Sequence, residues 1–323
     1  VAGFFFEKNK IIETGRMKTD NKVADRIPVS EHAKARAIRL FYQLLALMPL
    51  SVIQQVGAML GKLVWLTRSR MAKTTVANLH LCFPEMSTAE IDSLAQKSLI
   101  ETGKTIVETG VCWNWSLEKC RSVIHKIEGE PLFAQCCASE RGLILLMPHL
   151  STWEILHPVL TAHTHFTAMY KPPKIRPLDD WMQAVRNRAS ATMVPANRKG
   201  VSELMKTLKS GGCIVVLPDQ EPERESGTFA PFFGIETLTM TLVHGLATKT
   251  GAQLLEVNAK RLPQGAGFDV VFRDANAVNT EDVRTSLTAM NAVIESAVRE
   301  IPAQYQWEYK RFKRRPEGKA NFY

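Results

Sequence analysis

A chain of 323 residues with 45% hydrophobic and 23% charged residues has the composition of a folded protein, not a disordered one, with room for one large domain or two small ones. Its formal net charge of +9 favours anionic partners: nucleic acid, an anionic membrane leaflet, a phosphorylated substrate or an acidic protein. Six cysteines without a Cys-x-x-Cys pair exclude a disulfide framework and a clustered metal site, and point to reduced thiols in a cytosol-facing protein.

Val1 to Arg16 open without methionine, and Met17 offers an alternative start, so this stretch is set aside from the fold argument. The rest of segment 1–36 is polar and mixed in charge. Leu40 to Gly61 then carries no formal charge over 22 residues, which meets the length of a spanning helix. Gln43, Gln54 and Gln55 weaken it, and Pro49 interrupts it near the middle. Cations flank both ends, so the positive-inside rule gives no orientation. A spanning anchor, a kinked helix pair lying in the membrane interface and a buried helical hairpin all fit. Shallow attachment through residues 37–66 suits the broken pattern best. No small-residue cleavage site makes the stretch a secretory signal.

Ser87 and Glu90 form a capping box ahead of Ile91, Leu94 and Leu99, and residues 87 to 128 are predicted as helices. Beyond 128 the pattern changes. Gly142 to Met147 is a short apolar run, as in a buried strand, and Cys213 to Leu217 is a second. Between them lie helical stretches at 152–163, 178–190 and 200–209, with Phe166 to Tyr170 extended. A helix at 238–250, strands near 253–259 and 268–273, and a helix from about 280 to 300 follow. This alternation predicts one α/β domain over 67–323, with a mixed, mainly parallel sheet flanked by helices.

The stretch from Met147 to Ile155 carries the candidate chemistry. His149 follows a buried strand, where an α/β sheet places its ligands. Ser151 or Thr152 can cap the next helix, which puts Glu154 in its first turn within reach of one imidazole nitrogen. A carboxylate there fixes the tautomer and leaves the other nitrogen to take a proton from an alcohol. No Gly-x-Ser-x-Gly elbow is present, so a substrate hydroxyl is expected to attack directly, without an acyl-enzyme. His149, Glu154, His157, His163 and His165 lack the His-Glu-x-x-His spacing, and no metal is expected.

The His-x-x-x-x-Glu pattern at 149–154 resembles the HX4(D/E) signature of the lysophospholipid acyltransferase superfamily. More specifically, the chain resembles the lipid A late (secondary) acyltransferases, with five ordered blocks from about 35 to 315. These include Asn78-Leu-His-Leu-Cys-Phe-Pro-Glu85, the run from Tyr170-Lys-Pro to Arg186-Asn-Arg188, Pro218-Asp-Gln220 with Phe232-Phe-Gly234, and Trp307 to Lys313. Lys171 stands where that family commonly has Arg, which loses any bidentate contact there.

The resemblance implies a glycerol-3-phosphate-acyltransferase-like fold and acyl transfer from acyl carrier protein or coenzyme A to a hydroxyl on acyl chains of a lipid A precursor. Another phospholipid or glycolipid acceptor is the nearer alternative, and a non-catalytic lipid- or carrier-binding protein the distant one. It implies His149 as general base, Glu154 as its orienting carboxylate, and Arg186 as a cation on the thioester oxyanion or an acceptor phosphate, with Arg188 its competitor. Lys171, Asp219 and Gln220 are expected at the substrate, with a loop-capping role open for Asp219. No cofactor is expected beyond the thioester co-substrate. Phe229, Phe232 and Phe233 either wall an acyl channel or belong to the core. The basic, aromatic run from Trp307 to Arg315 is expected to meet anionic membrane lipids or the acidic carrier protein; it contains no nucleic-acid module. The expected location is the bacterial inner membrane, with the domain facing the cytoplasm.

Overall fold

A computed structural model describes residues 29–323; the alternative start and the polar segment up to residue 28 lie outside the described residues. Pro49 separates α1 (Val29–Leu45) from α2 (Leu50–Leu66), because its ring cannot continue a helix across that point. Ser69 caps α3 (Arg70–Cys82) and the Ser87–Glu90 box caps α4 (Thr88–Asn114), as its sequence requires.

The α2 helix lies along α4 with almost no side chain between them. A Cβ on Gly103 would sit 2.1 Å from the Gly57 carbonyl oxygen, and one on Gly61 would sit 2.1 Å from that of Leu99. Only glycine permits backbones this close, so α2 is locked to the domain through Gly57, Gly61 and Gly103. Its opposite face is bare. Met59, Leu63 and Leu66 are more than half exposed, and Leu40 and Leu44 of α1 and Leu47 of the turn between the two helices continue the apolar surface. No single helix among the described residues is long and apolar enough to cross a membrane. The α2–α3 pair passes that test together but bends by 84°, and α3 keeps Thr75, Asn78 and Leu79 buried in the domain.

After α5 (Leu117–Ser122), β1 (Ile124–Glu128), α6 (Glu130–Cys137), β2 (Leu143–Leu146), α7 (His157–His163), β3 (Phe166–Tyr170), α8 (Asp179–Arg186) and β4 (Ala191–Pro195) follow. The chain continues through α9 (Arg198–Lys209), β5 (Cys213–Val216), β6 (Gly227–Phe232), β7 (Ile235–Met240), α10 (Leu242–Thr250), β8 (Gln253–Arg261), β9 (Phe268–Asp274) and α11 (Val283–Glu300). Seven strands form one sheet in the order β1-β9-β8-β2-β5-β3-β4, parallel throughout except between β8 and β9. The predicted mixed, mainly parallel α/β sheet is the one observed.

Buried on both faces, β2 sends Ile144 and Leu146 into one core and Leu143 and Leu145 into the other. The two cores lie on opposite faces of the sheet, and α4 reaches both, through Ile91 and Ala95 near its start and Val107 and Val111 further on. Two sequence assignments change, and one strand has none. Residues 124–128, read as helix, form edge strand β1; the start of the stretch read as helix from 238 belongs to the β6–β7 hairpin; and residues 191–195, which carry no sequence assignment, form the opposite edge, β4. Edge strands show neither a clean alternation nor a long apolar run: β1 reads Ile-His-Lys-Ile-Glu.

Candidate active site

Central strands β2 and β5 pair in parallel with Leu146 opposite Val216. His149 lies three residues past the end of β2 and Asp219 three past the end of β5, so equal offsets from paired strand ends bring the two side chains together. His149 Nδ1 is 2.8 Å from Asp219 Oδ1, and the His149 backbone N–H donates to Asp219 Oδ2 at 2.9 Å. Both residues are buried. Burial opposes the Asp219 carboxylate, but the charge of His149 and its two hydrogen bonds outweigh it and hold the carboxyl below its usual range. With Nδ1 donating to Asp219, Nε2 is left as the basic nitrogen. Gln220 Nε2 approaches it at 3.3 Å and donates to Gln306 Oε1 at 3.1 Å.

The carboxylate on the imidazole is therefore Asp219, not Glu154. Glu154 points the other way and takes Nε and Nη2 of Arg186 on its Oε1 at 3.1 and 2.6 Å. A 3-10 turn at Trp153–Leu156 replaces the first turn of the expected helix. Thr152 makes no capping bond there, and the next helix starts only at His157. The turn rotates Glu154 toward α8 and places Trp153 beside His149, ring centroids 6.4 Å apart. Around the guanidinium of Arg186 stand Trp153, Trp113 and Tyr170, with centroids 5.1, 5.6 and 5.6 Å from its Cζ. Its Nη1 edge makes no hydrogen bond among the described residues. Of these rings Tyr170 belongs to a family block and Trp153 lies inside the His-x-x-x-x-Glu pattern, whereas Trp113 is 40 residues from Trp153 and carries no local sign.

Arg188 is committed elsewhere. It donates to the carbonyls of Trp115 and Cys112 at 2.7 and 2.9 Å, tying down the end of α4, and this removes it as a substrate cation. Lys171 sits exposed just past β3, on the same carboxyl edge of the sheet as His149. Phe232 and Phe233 are buried core residues, packed edge-on against each other at 4.9 Å, so the core reading holds for both. The C-terminal basic run is largely structural. Arg311, 3% exposed, donates to the Leu238 carbonyl and Thr239 Oγ1; Arg314 engages Glu221, Glu223 and the Pro222 carbonyl; Arg315 holds the Glu236 carbonyl. These three arginines are bonded inside the fold, which the run of charges alone did not reveal.

A small, open crevice of about 20 Å³ lies beside His149, walled by Ser151, Trp153, Gln304 and Gln306 among others. Ser151 has a φ of +54°, in the left-handed region that non-glycine residues seldom adopt, and its N–H donates to the Gln304 carbonyl at 2.8 Å. Among the described residues no group of three or more histidine, cysteine or acidic side chains is arranged to hold a metal ion.

Residues 31–314 match the family described as bacterial lipid A biosynthesis acyltransferase. The chain is 32% identical over 279 residues to the lipid A biosynthesis lauroyltransferase of Escherichia coli K12, covering 85% of this chain and 90% of that protein. It is 27% identical over 277 residues to the palmitoleoyltransferase of the same organism, at the same coverage. A lipid A biosynthesis acyltransferase of Haemophilus influenzae is 27% identical over 282 residues, covering 84% and 88%.

Proposed function

The chain belongs to the bacterial lipid A biosynthesis acyltransferase family, and on that footing we propose that it moves a fatty acyl group from a thioester of acyl carrier protein, or of coenzyme A, to a hydroxyl on acyl chains of a lipid A precursor. The observation that carries the mechanism is the His149–Asp219 pair. The acceptor hydroxyl replaces the Gln220 amide at Nε2 and gives up its proton there as its oxygen attacks the thioester carbonyl carbon. The tetrahedral intermediate collapses, the C–S bond breaks, and the imidazolium returns the proton to the departing thiolate. Asp219 holds the tautomer and stabilises the imidazolium without itself becoming protonated. The Nη1 edge of Arg186, fixed by Glu154, faces the developing negative charge or an acceptor phosphate. Lys171 and Gln220 complete the substrate contacts. This chemistry needs no metal and no cofactor beyond the thioester.

Both substrates meet at a membrane surface in this reading, which places the enzyme at the inner membrane with its domain on the cytoplasmic side. The outer face of α1 and α2 supports it. Between Val29 and His80 stand Lys34, Arg36, Arg39, Lys62, Arg68, Arg70 and Lys73 against the single acid Glu31. Cations near an anionic leaflet contribute about 1 kcal/mol each, and the exposed leucines enter the interface. Replacing Leu60 and Leu63 together by glutamate is expected to abolish flotation with phosphatidylglycerol-containing vesicles while leaving the thermal midpoint unchanged, since both side chains point outward. Undiminished flotation would remove this face from the membrane.

The reaction is tested by mass spectrometry of lipid A from cells with and without the gene. Loss of one or two acyl chains, restored by the wild-type gene, is the expected result; an unchanged profile would move the acceptor to another lipid.

A further inference from the structure

Behind the crevice lies a buried ion cluster that the mechanism above does not use. Glu101, Thr105 and Glu108 share one face of α4, as their spacing of four and three dictates. Arg261, at the end of β8, reaches all three. Its Nη1 donates to Glu101 at 2.5 Å, and its Nη2 donates to Glu108 at 2.5 Å and to Thr105 at 2.8 Å. The same Nη2 donates to Thr152 Oγ1 at 2.8 Å, and the Thr152 hydroxyl in turn donates to Glu108. Thr152 is fully buried, and the side chains of Arg261 and Glu108 are each 1% exposed.

Stability does not explain such a cluster. Removing these charges from water costs several kcal/mol per ion, and well-packed apolar residues in the same place are commonly neutral or better. What the charges supply and apolar packing does not is directional bonds, to Thr105 of α4, to Gln54 of α2 and to the Thr152 hydroxyl, and the last of these belongs to the segment between His149 and Glu154. Arg261 grips the segment a second way. Its backbone N–H and C=O are both bonded to the Gln304 side chain, at 2.9 and 3.0 Å, and the Gln304 carbonyl takes the N–H of Ser151. The strained φ of Ser151 is thus held from both sides, by Gln304 at its own N–H and by the ion cluster one residue on.

We propose that Glu108 and Arg261 are positioning residues, which act through Thr152 to hold the His149–Glu154 segment in its reactive geometry. The proposal rests on His149 being the general base. Thr152→Val keeps the shape and removes both hydrogen bonds; Thr152→Ser keeps both. With lauroyl-acyl carrier protein as donor and a lipid A precursor lacking its secondary acyl chains as acceptor, Thr152→Val is expected to lower kcat about 10- to 100-fold, as small misplacements of reacting groups do. KM for the donor is expected to stay within about twofold, and Thr152→Ser to recover most of the rate. Should Thr152→Val fail to fold, Glu108→Gln carries the same expectation: one Glu108 oxygen takes Arg261 Nη2 and Thr152 and the other takes Arg261 Nε and Gln54, so the amide NH2 must face donors on one side or the other. A pair of folded Thr152→Val and Glu108→Gln variants whose losses simply multiply would overturn the shared route. Full kcat in folded Thr152→Val, beside an inactive His149→Ala, would overturn this inference alone. A wild-type enzyme without turnover on these substrates would overturn the catalytic reading and this inference with it.

Discussion

Asp219→Asn is expected to be nearly as damaging to acyl transfer as His149→Ala. The asparagine oxygen keeps the bond from the His149 backbone N–H, which leaves its NH2 group facing Nδ1. An amide donor at Nδ1 forces that nitrogen to accept and places the ring proton on Nε2, where the lone pair has to be. The geometry survives and the tautomer is wrong, a change that costs roughly 10⁴-fold in a Ser-His-Asp enzyme. His149→Ala removes the base itself, and a loss of about 10²–10⁴-fold is expected from general-base removal. Single-turnover measurement of acyl transfer from a radiolabelled thioester checks both. Full activity in Asp219→Asn would show that Nδ1 need not donate, and would overturn Asp219 as the orienting carboxylate. Glu154→Ala acts differently: it frees the Arg186 guanidinium inside its three rings and leaves the imidazole pair intact.

Gly103→Leu is expected to produce the largest stability loss, about 3–5 kcal/mol, at the upper end of what overpacking causes. Its Cβ alone would meet the Gly57 carbonyl at 2.1 Å, and the atoms that must yield are helix backbone. The α2 helix would be levered off α4, uncovering Ile53 and the buried Gln54–Glu108 bond, 2.9 Å long. Urea unfolding gives the size of the effect. Gly245→Ala, in mid-α10 with nothing near its added methyl, serves as the control and is expected to stabilise by about 0.5–1 kcal/mol. A Gly103→Leu midpoint equal to wild type would mean that α2 is not packed against α4 as described. Loss of vesicle binding along with stability would tie the apolar face to the seating of α2.

Local chemistry was enough to specify much of this protein from its residues alone. The helix break at Pro49, the Ser87 capping box and the buried strands at 143–146 and 213–216 follow from ring geometry, an i to i+3 hydrogen bond and short apolar runs. The placement of His149 and Asp219 at the carboxyl edge follows from each residue's position just past a buried strand. The Gly57-x-x-x-Gly61 spacing was also open to view, but which helix it would face was not. Pairing was decided only by tertiary structure. Glu154 is five residues from His149 and Asp219 is seventy, so sequence proximity favoured the wrong carboxylate; the register of β2 on β5 reverses that order. Arg188 and the Arg311–Arg315 run looked like exposed cations because a charge gives no sign of its burial. Arg188, Arg311, Arg314 and Arg315 each bond to carbonyls, hydroxyls or acids far away in sequence, such as Trp115 for Arg188 and Leu238 for Arg311, while Lys313 stays exposed. Periodicity reports which face of an element is apolar, whereas hydrogen-bond partners depend on which elements the sheet order makes neighbours.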